Sequence, residues 1–157
     1  PDLFEQMLAW LHALKLPGDL FIATPAAVRG QFGVRKLAEE EPGEASLAAD
    51  TGSKVEIAFE NHHSEVVWVV ACERGEDGSV SFVPENNLAE APQVDPGDAL
   101  TFTFTPTSET VMRVVAIALR TQPQGDPAEV LAEPARLQEF GVVATARFML
   151  RVSPPSK

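Results

Sequence analysis

The sequence contains no tyrosine and only one cysteine. Its aromatic residues are nine Phe and two Trp, which carry no phenolic hydroxyl, so we expect most of them to fill a core rather than form a binding platform. The single thiol, Cys72, excludes an intrachain disulfide framework and leaves the redox compartment open. No apolar run reaches the length of a membrane span, and we therefore expect no direct membrane insertion.

Basic residues are scarce: the sequence has 12 Lys and Arg but 23 Asp and Glu, which gives a formal net charge of −11. Such a charge repels phosphate backbones and anionic lipid, so we expect no nucleic-acid partner. The length of 157 residues suits one domain, and we divide it into a helix and turn over 1–18 and a sheet region over 19–157. The sequence begins with Pro rather than Met, which is compatible with a domain of a longer protein.

Residues 2–15 predict an amphipathic helix. Its apolar residues recur at three- and four-residue steps, Asp2 is placed to cap its N-terminus, and Pro17-Gly18 ends it. We expect this helix to dock on a sheet or to cover its edge; docking on a partner is the alternative. A short helical insertion is predicted near 127–139, capped by Asp126 and split by Pro134.

Most of the remaining sequence predicts strands. The segment 54–60 alternates, 65–73 and 111–120 are apolar on both faces, and turn residues separate them. We assign one or two strands to 20–38 and a turn-rich loop to 39–46. Residues 47–53 are predicted to connect that loop to the next strand, and 84–98 to form a long loop. Seven or eight strands at about ten-residue spacing predict a mainly β protein, an antiparallel β-sandwich.

Residues 54–122 resemble a bacterial accessory domain of unknown function that is appended to caspase-like peptidases, kinases and membrane-anchored regulators. The resemblance is carried by VEIAFE, EVVWVVACE, Glu76-Asp77-Gly78, VSFVP, DPGD and VMRVVAIALRTQP. The chain departs from the family at Trp68, where Tyr is frequent, and at Val83, which separates Phe82 from Pro84. The resemblance implies a non-enzymatic module of a bacterial protein, cytoplasmic or exported, and transfers no catalytic residue.

The residues predict no catalytic or metal site. Adjacent His62 and His63 have no third ligand at a suitable spacing, and Cys72 ends an apolar strand in a mixed-charge setting. The acidic residues lie in loops, and the Gly75–Ser79 turn lacks the ligand ladder of a calcium loop. We therefore expect no cofactor and no metal.

The hypothesis from the sequence is a non-enzymatic accessory domain that mediates protein–protein or regulatory interaction, with a protein partner or other domains of the same polypeptide. The candidate binding residues are Trp10, which lies off the apolar stripe of the helix, and Asn86, Asn87 and Asp95 in the loop 84–98. Two alternatives stay open: a β-sandwich that binds a small ligand or carbohydrate, and a carboxylate-dependent hydrolase.

Overall fold

The computed structural model describes residues 2–14, 16, 20–23, 34–41, 43–85 and 87–155. Its strands are β1 (Leu20–Ala23), β2 (Arg35–Leu37), β3 (Glu44–Asp50), β4 (Val55–Asn61), β5 (Val67–Arg74), β6 (Val80–Val83), β7 (Gln93–Val94), β8 (Ala99–Phe104), β9 (Thr110–Leu119) and β10 (Val142–Ser153). Its helices are α1 (Leu3–His12), α2 (Pro127–Ala132) and two 3₁₀ segments, Leu88–Glu90 and Pro134–Phe140. The protein is therefore mainly β, as the sequence predicts.

The strands form two sheets that face each other across an apolar core. The small sheet has the order β1-β4-β8, and the large sheet has the order β2-β3-β10-β9-β5-β6, with β7 beside β5. Val55, Ile57 and Phe59 of β4 are fully buried between the sheets. The alternation in the sequence had assigned these side chains to one face, and burial drives them there. The arrangement is sandwich-like.

One pair of strands corrects the prediction of a purely antiparallel sandwich. β3 runs parallel to β10, from Glu44 opposite Arg147 to Asp50 opposite Ser153. The other described pairs are antiparallel. Apolar alternation sets which face of a strand is buried but not the direction of a neighbour far away in the chain, so the sequence did not reveal this pairing.

The helices cover the outer face of the large sheet. Phe4, Met7 and Leu11 of α1 are buried in a second apolar core with side chains of the large sheet, α2 and the second 3₁₀ segment. Asp2 caps α1 by accepting a 2.8 Å hydrogen bond from the Glu5 N–H, which confirms the predicted cap. The helix ends at His12, and the predicted stop at 17–18 lies outside the described residues.

The insertion also agrees with its prediction. Asp126 accepts a 2.9 Å hydrogen bond from the Ala128 N–H at the start of α2, and Pro134 begins a separate 3₁₀ segment. No helix in the described part of the chain is both long and apolar enough to cross a membrane.

Two segments differ from their predicted structure, and a third agrees with it in its described part. Residues 44–50 were predicted as a loop and a segment leading into the next strand, but they form strand β3, with Glu44 and Ser46 buried. Polar residues such as these are not typical of a buried strand, and the groups that pair with them come from distant parts of the chain. The long loop 84–98 contains a 3₁₀ segment and β7. The region 20–38 gives β1 and β2, while residues 24–33 lie outside the described part.

Arg113 of β9 connects α1 and the start of β3 to the sheet. Its guanidinium donates to Glu5 at 2.7 Å and to Glu44 at 3.1 and 3.2 Å, and lies 5.2 Å from the ring centre of Phe4. Burial alone would lower the pKa of Arg113, but the ion pairs with Glu5 and Glu44 outweigh it and raise that pKa. A nearly buried cation thus joins three elements.

Candidate functional site

The two sheets differ in width, and this difference creates a pocket. The three-stranded sheet ends at β8, so part of the inner face of the large sheet continues beyond it. A pocket of about 360 Å³ opens there, and we call it the β8 pocket. It is lined by Ala71, Glu73, Val83, Phe102, Thr103, Phe104, Met112, Val114 and Phe148.

Aromatic rings form much of the apolar wall of the β8 pocket. Phe102 and Phe104 contribute from β8 and Phe148 from β10. The ring of buried Phe59 supports two of them, edge-on to Phe102 at a centroid distance of 5.4 Å and tilted against Phe148 at 6.0 Å. Because Phe59 packs against Phe102 and Phe148 on the side of the core, this wall is a preformed apolar surface.

The rim of the pocket is acidic. Glu73 is the one charged residue among those that line it, and Val83 beside it exposes 36% of its surface. Burial, with a smaller contribution from the negative charge of Glu85, raises the pKa of the Glu73 carboxyl. The described residues provide no ion-pair partner for Glu73. This rim is therefore suited to receive a cation.

The backbone of β8 is paired on one side. In the described part of the chain its ladder partner is β4, with Phe104 opposite Val55 and Ala99 opposite Glu60. Just before β8, the Asn61 N–H donates to the Asp98 carbonyl at 2.8 Å. Backbone groups alternate in direction along an antiparallel strand, so those of Thr101 and Thr103 point away from β4, along the edge of the pocket.

This edge lacks the features that usually protect a strand from a new neighbour. Charged side chains, prolines and short length are common protections. The edge strand β2 has three residues that include Arg35 and Lys36, and β6 has four and is followed by Pro84. β8 has six residues, with neither charge nor proline among them. β8 therefore carries fewer of these protections than β2 or β6.

The residues that the sequence singled out for binding do not meet at this pocket. Trp10 is half-buried and packs against the second core. Asn87 caps the 3₁₀ segment by accepting a 2.9 Å hydrogen bond from the Ala89 N–H. Asp95 is exposed in the turn before β8, and Asn86 lies outside the described residues. None of the described three lines the β8 pocket.

The histidine pair is arranged as a turn. His62 Nε2 lies 3.5 Å from Glu60, and the centre of its ring lies 4.0 Å from that of Phe21, with the two rings tilted by 44°. His63 Nε2 is 4.0 Å from Glu65. The described residues contain no cluster of three or more side chains suited to a metal ion.

The preceding Asn61 is a structural residue that the sequence reading missed. Its buried side chain donates at 3.0 Å to the carbonyls of Glu65 and Val94 and accepts from the His63 N–H at 2.8 Å. Its place in a polar turn motif gave no sign of burial; these bonds fix the chain between β4 and β5 to β7.

Two other candidate chemical groups have structural roles. Cys72 is completely buried, and this burial raises the pKa of its thiol to about 12. The Asp77 carboxylate accepts from the Ser79 hydroxyl at 2.6 Å and from its N–H at 3.0 Å, which lowers the pKa of Asp77. These bonds close the turn between β5 and β6.

The pocket itself could be read only in part from the sequence. Alternation placed Leu100, Phe102 and Phe104 on one face of a strand, and this face is confirmed. The three are nevertheless half-buried rather than buried, because the small sheet ends with their own strand. The exposure of these three side chains depends on the number of strands in the small sheet, and a local sequence pattern does not predict that number.

The sequence matches no protein-family model. A search of curated proteins likewise finds no match. Among solved structures, a superoxide reductase (neelaredoxin) from Ignicoccus hospitalis is 11% identical, with 76% of this chain and 80% of that one covered at a TM-score of 0.35. The CARDB domain of a Pyrococcus furiosus protein, determined with di-metal ions, is 13% identical, with 91% and 100% covered at 0.35. The Pseudomonas fluorescens alkylpurine DNA glycosylase AlkC, bound to DNA, is 10% identical, with 92% and 33% covered at 0.34. With TM-scores and identities this low, we transfer no property of these proteins to this chain.

Proposed function

We propose that this chain is a non-enzymatic accessory domain that binds a protein partner at the β8 pocket. The supporting observation is that a preformed apolar pocket adjoins an edge of β8 that no other described strand pairs with. The same role is implied by the family resemblance of residues 54–122. The partner is another protein or another domain of the same polypeptide.

Protein association favours this kind of surface. Apolar pockets that admit one anchoring side chain supply much of the binding energy, and a polar rim gives selectivity. The β8 pocket offers Phe104 and Met112 as contact surface and Glu73 as a charged rim residue. Exposed Val83 extends the apolar surface beyond the pocket mouth.

The alternatives make different demands of the same pocket. A glycosidase-type mechanism needs two carboxyl groups held across the substrate. Among the residues that line the pocket, Glu73 is the one with a carboxyl group. A small-ligand site is the second candidate, because about 360 Å³ lies within the usual size of such sites. An apolar cation is the ligand class that this lining would select.

The experiment compares the partners retained by the purified wild-type chain, Val83→Lys and Leu37→Lys from a native bacterial lysate. Val83 and Leu37 are matched because they expose 36% and 40% of their surfaces, the first at the pocket and the second on β2. Circular dichroism melting should show that both variants stay folded. Retained proteins are quantified by mass spectrometry.

We expect Val83→Lys to lose specific partners that the wild type and Leu37→Lys retain in common. Equal losses in the two variants, or no specific protein on the wild type, would overturn the proposal. In the latter case, stabilisation of the wild type but not of Val83→Lys by a panel of small apolar amines would assign the pocket to a small ligand.

A further inference from the structure

We infer that the partner binds at this site as an extended segment that adds a strand to β8, on the edge that has no ladder partner among the described residues, with apolar side chains entering the pocket and a basic side chain facing Glu73. This inference rests on the proposed function and specifies its mode of recognition. It differs from a docking of two preformed surfaces, because the main chain of β8 provides part of the binding.

The backbone of β8 offers hydrogen-bonding groups to a partner strand. Every second residue of β8 directs its N–H and C=O away from β4, and Thr101 and Thr103 are two of these residues. A partner strand would lie about 4.8 Å away and pair with these groups. Since the outward groups belong to a strand already held by β4, the partner meets a preformed template.

The inner side chains beside β8 determine which partner side chains fit. The inner side chains of β8 line the pocket through Phe102 and Phe104. A strand added beside β8 would direct alternate side chains toward the same inner layer, over Val83 and Met112. The pocket volume of about 360 Å³ accommodates side chains of the size of Leu, Met or Phe. Alternate apolar residues are therefore the expected sequence pattern of the partner.

The negative charge at the pocket selects a basic occupant. Glu73 lines the pocket, Glu85 is near enough to raise its pKa, and the whole chain carries −11. A second copy of this chain, pairing β8 with β8, would bring the same acidic rims together and be repelled. A basic segment instead gains an ion pair at Glu73. The chemistry thus favours a basic, apolar peptide over self-association.

The test begins with a random twelve-residue peptide library displayed on phage and selected against the intact chain. We expect enriched peptides to alternate apolar residues and to contain Lys or Arg. The affinity of one synthetic enriched peptide is then measured by calorimetry for the wild type, Thr103→Pro, Thr103→Val, Glu73→Gln and Val83→Lys. Thr103→Pro removes an outward N–H at an edge position where proline is tolerated, and Thr103→Val retains that N–H.

We expect Thr103→Pro to bind about tenfold or more weakly than Thr103→Val, because a hydrogen bond is lost and the proline ring occupies its place. Glu73→Gln should weaken binding about threefold relative to the wild type. If Thr103→Pro does not fold, the same peptide with N-methyl groups at alternate residues replaces it. Methylation in one of the two alternating frames should abolish binding, and methylation in the other should not.

The outcomes separate the two proposals. If Val83→Lys abolishes binding while Thr103→Pro equals Thr103→Val, the pocket binds proteins but not by strand addition. If no variant at the pocket affects binding, the proposed function fails as well. An absence of enriched peptides, or reversible dimerisation in sedimentation that Thr103→Pro prevents, overturns the basic-peptide assignment.

Discussion

Replacing Arg113 by Met should reveal how much the nearly buried cation contributes to stability. The side chain of Arg113 is 17% exposed and that of its partner Glu44 is 4% exposed. Removing the guanidinium leaves the Glu44 carboxylate without the two hydrogen bonds that now satisfy it. It also releases Glu5, which helps to attach α1. A buried carboxylate that loses its partner is strongly destabilising.

The expected loss is about 2–4 kcal/mol in the free energy of unfolding, toward the lower part of the range for fully buried pairs because Arg113 retains some exposure. The measurement is urea unfolding near neutral pH, followed by circular dichroism. Arg136→Met is the matched control: this arginine is 49% exposed and pairs with Glu129 and Glu133 at 3.3 Å. Its loss should cost less than about 1 kcal/mol.

A second substitution identifies the cause. Glu44→Gln in the Arg113→Met background should restore about 1–2 kcal/mol, because an amide is less costly to bury than an unpaired carboxylate. The reasoning is refuted if Arg113→Met costs no more than Arg136→Met. It is also refuted if the added Glu44→Gln has no effect, since the loss would then come from packing alone.

Three further predictions concern single residues. Burial raises the pKa of Glu73. The contribution of the Glu73 carboxyl to the stability of the fold is therefore fully present below its unfolded-state pKa and is lost as the pH rises through its folded-state pKa. Glu73→Gln should raise the melting temperature at pH 7 but not near pH 3, as measured by circular dichroism. The Cys72 thiol, with its pKa raised to about 12 by burial, should react with a disulfide reagent at pH 8 in urea and not in the native state. Asn61→Ala should lower the free energy of unfolding in a urea titration by about 2–3 kcal/mol, because the buried Asn61 side chain makes three hydrogen bonds that would be lost. The exposed cap change Asn87→Ala should cost about 1 kcal/mol or less. Equal losses at these two asparagines would contradict this view of Asn61.

Local chemistry made much of the fold predictable. The alternation of Val55, Ile57 and Phe59 identified the core face of β4, and Asp126 with Pro134 defined the two-part insertion. Each of these signals concerns residues close together in the chain, where backbone geometry and burial act directly. Strand β3 was not predicted because a glutamate such as Glu44 is typical of a loop. Its burial in a strand is possible because the ion pair with Arg113, which is distant in the sequence, compensates its charge.

The site was less predictable for the same reason. The four candidate residues were chosen for exposure, and nothing local links Glu73 on β5 to Phe104 on β8 or to Phe148 on β10. These residues meet because of the order of strands in two sheets. Alternation can indicate that Phe104 faces inward, but it does not indicate that β8 has a single neighbouring strand in the described part of the chain.

The position of β10 determines when the protein can fold during its synthesis. This strand lies between β3 and β9 in the large sheet, and its parallel partner β3 is separated from it by about one hundred residues. A ribosome must therefore release nearly all of the described chain before β2 and β3 can join β9 and β5. Until then β2-β3 and β9-β5-β6 would stay separate groups of strands, and unpaired strand edges of this kind make partly folded chains prone to aggregation.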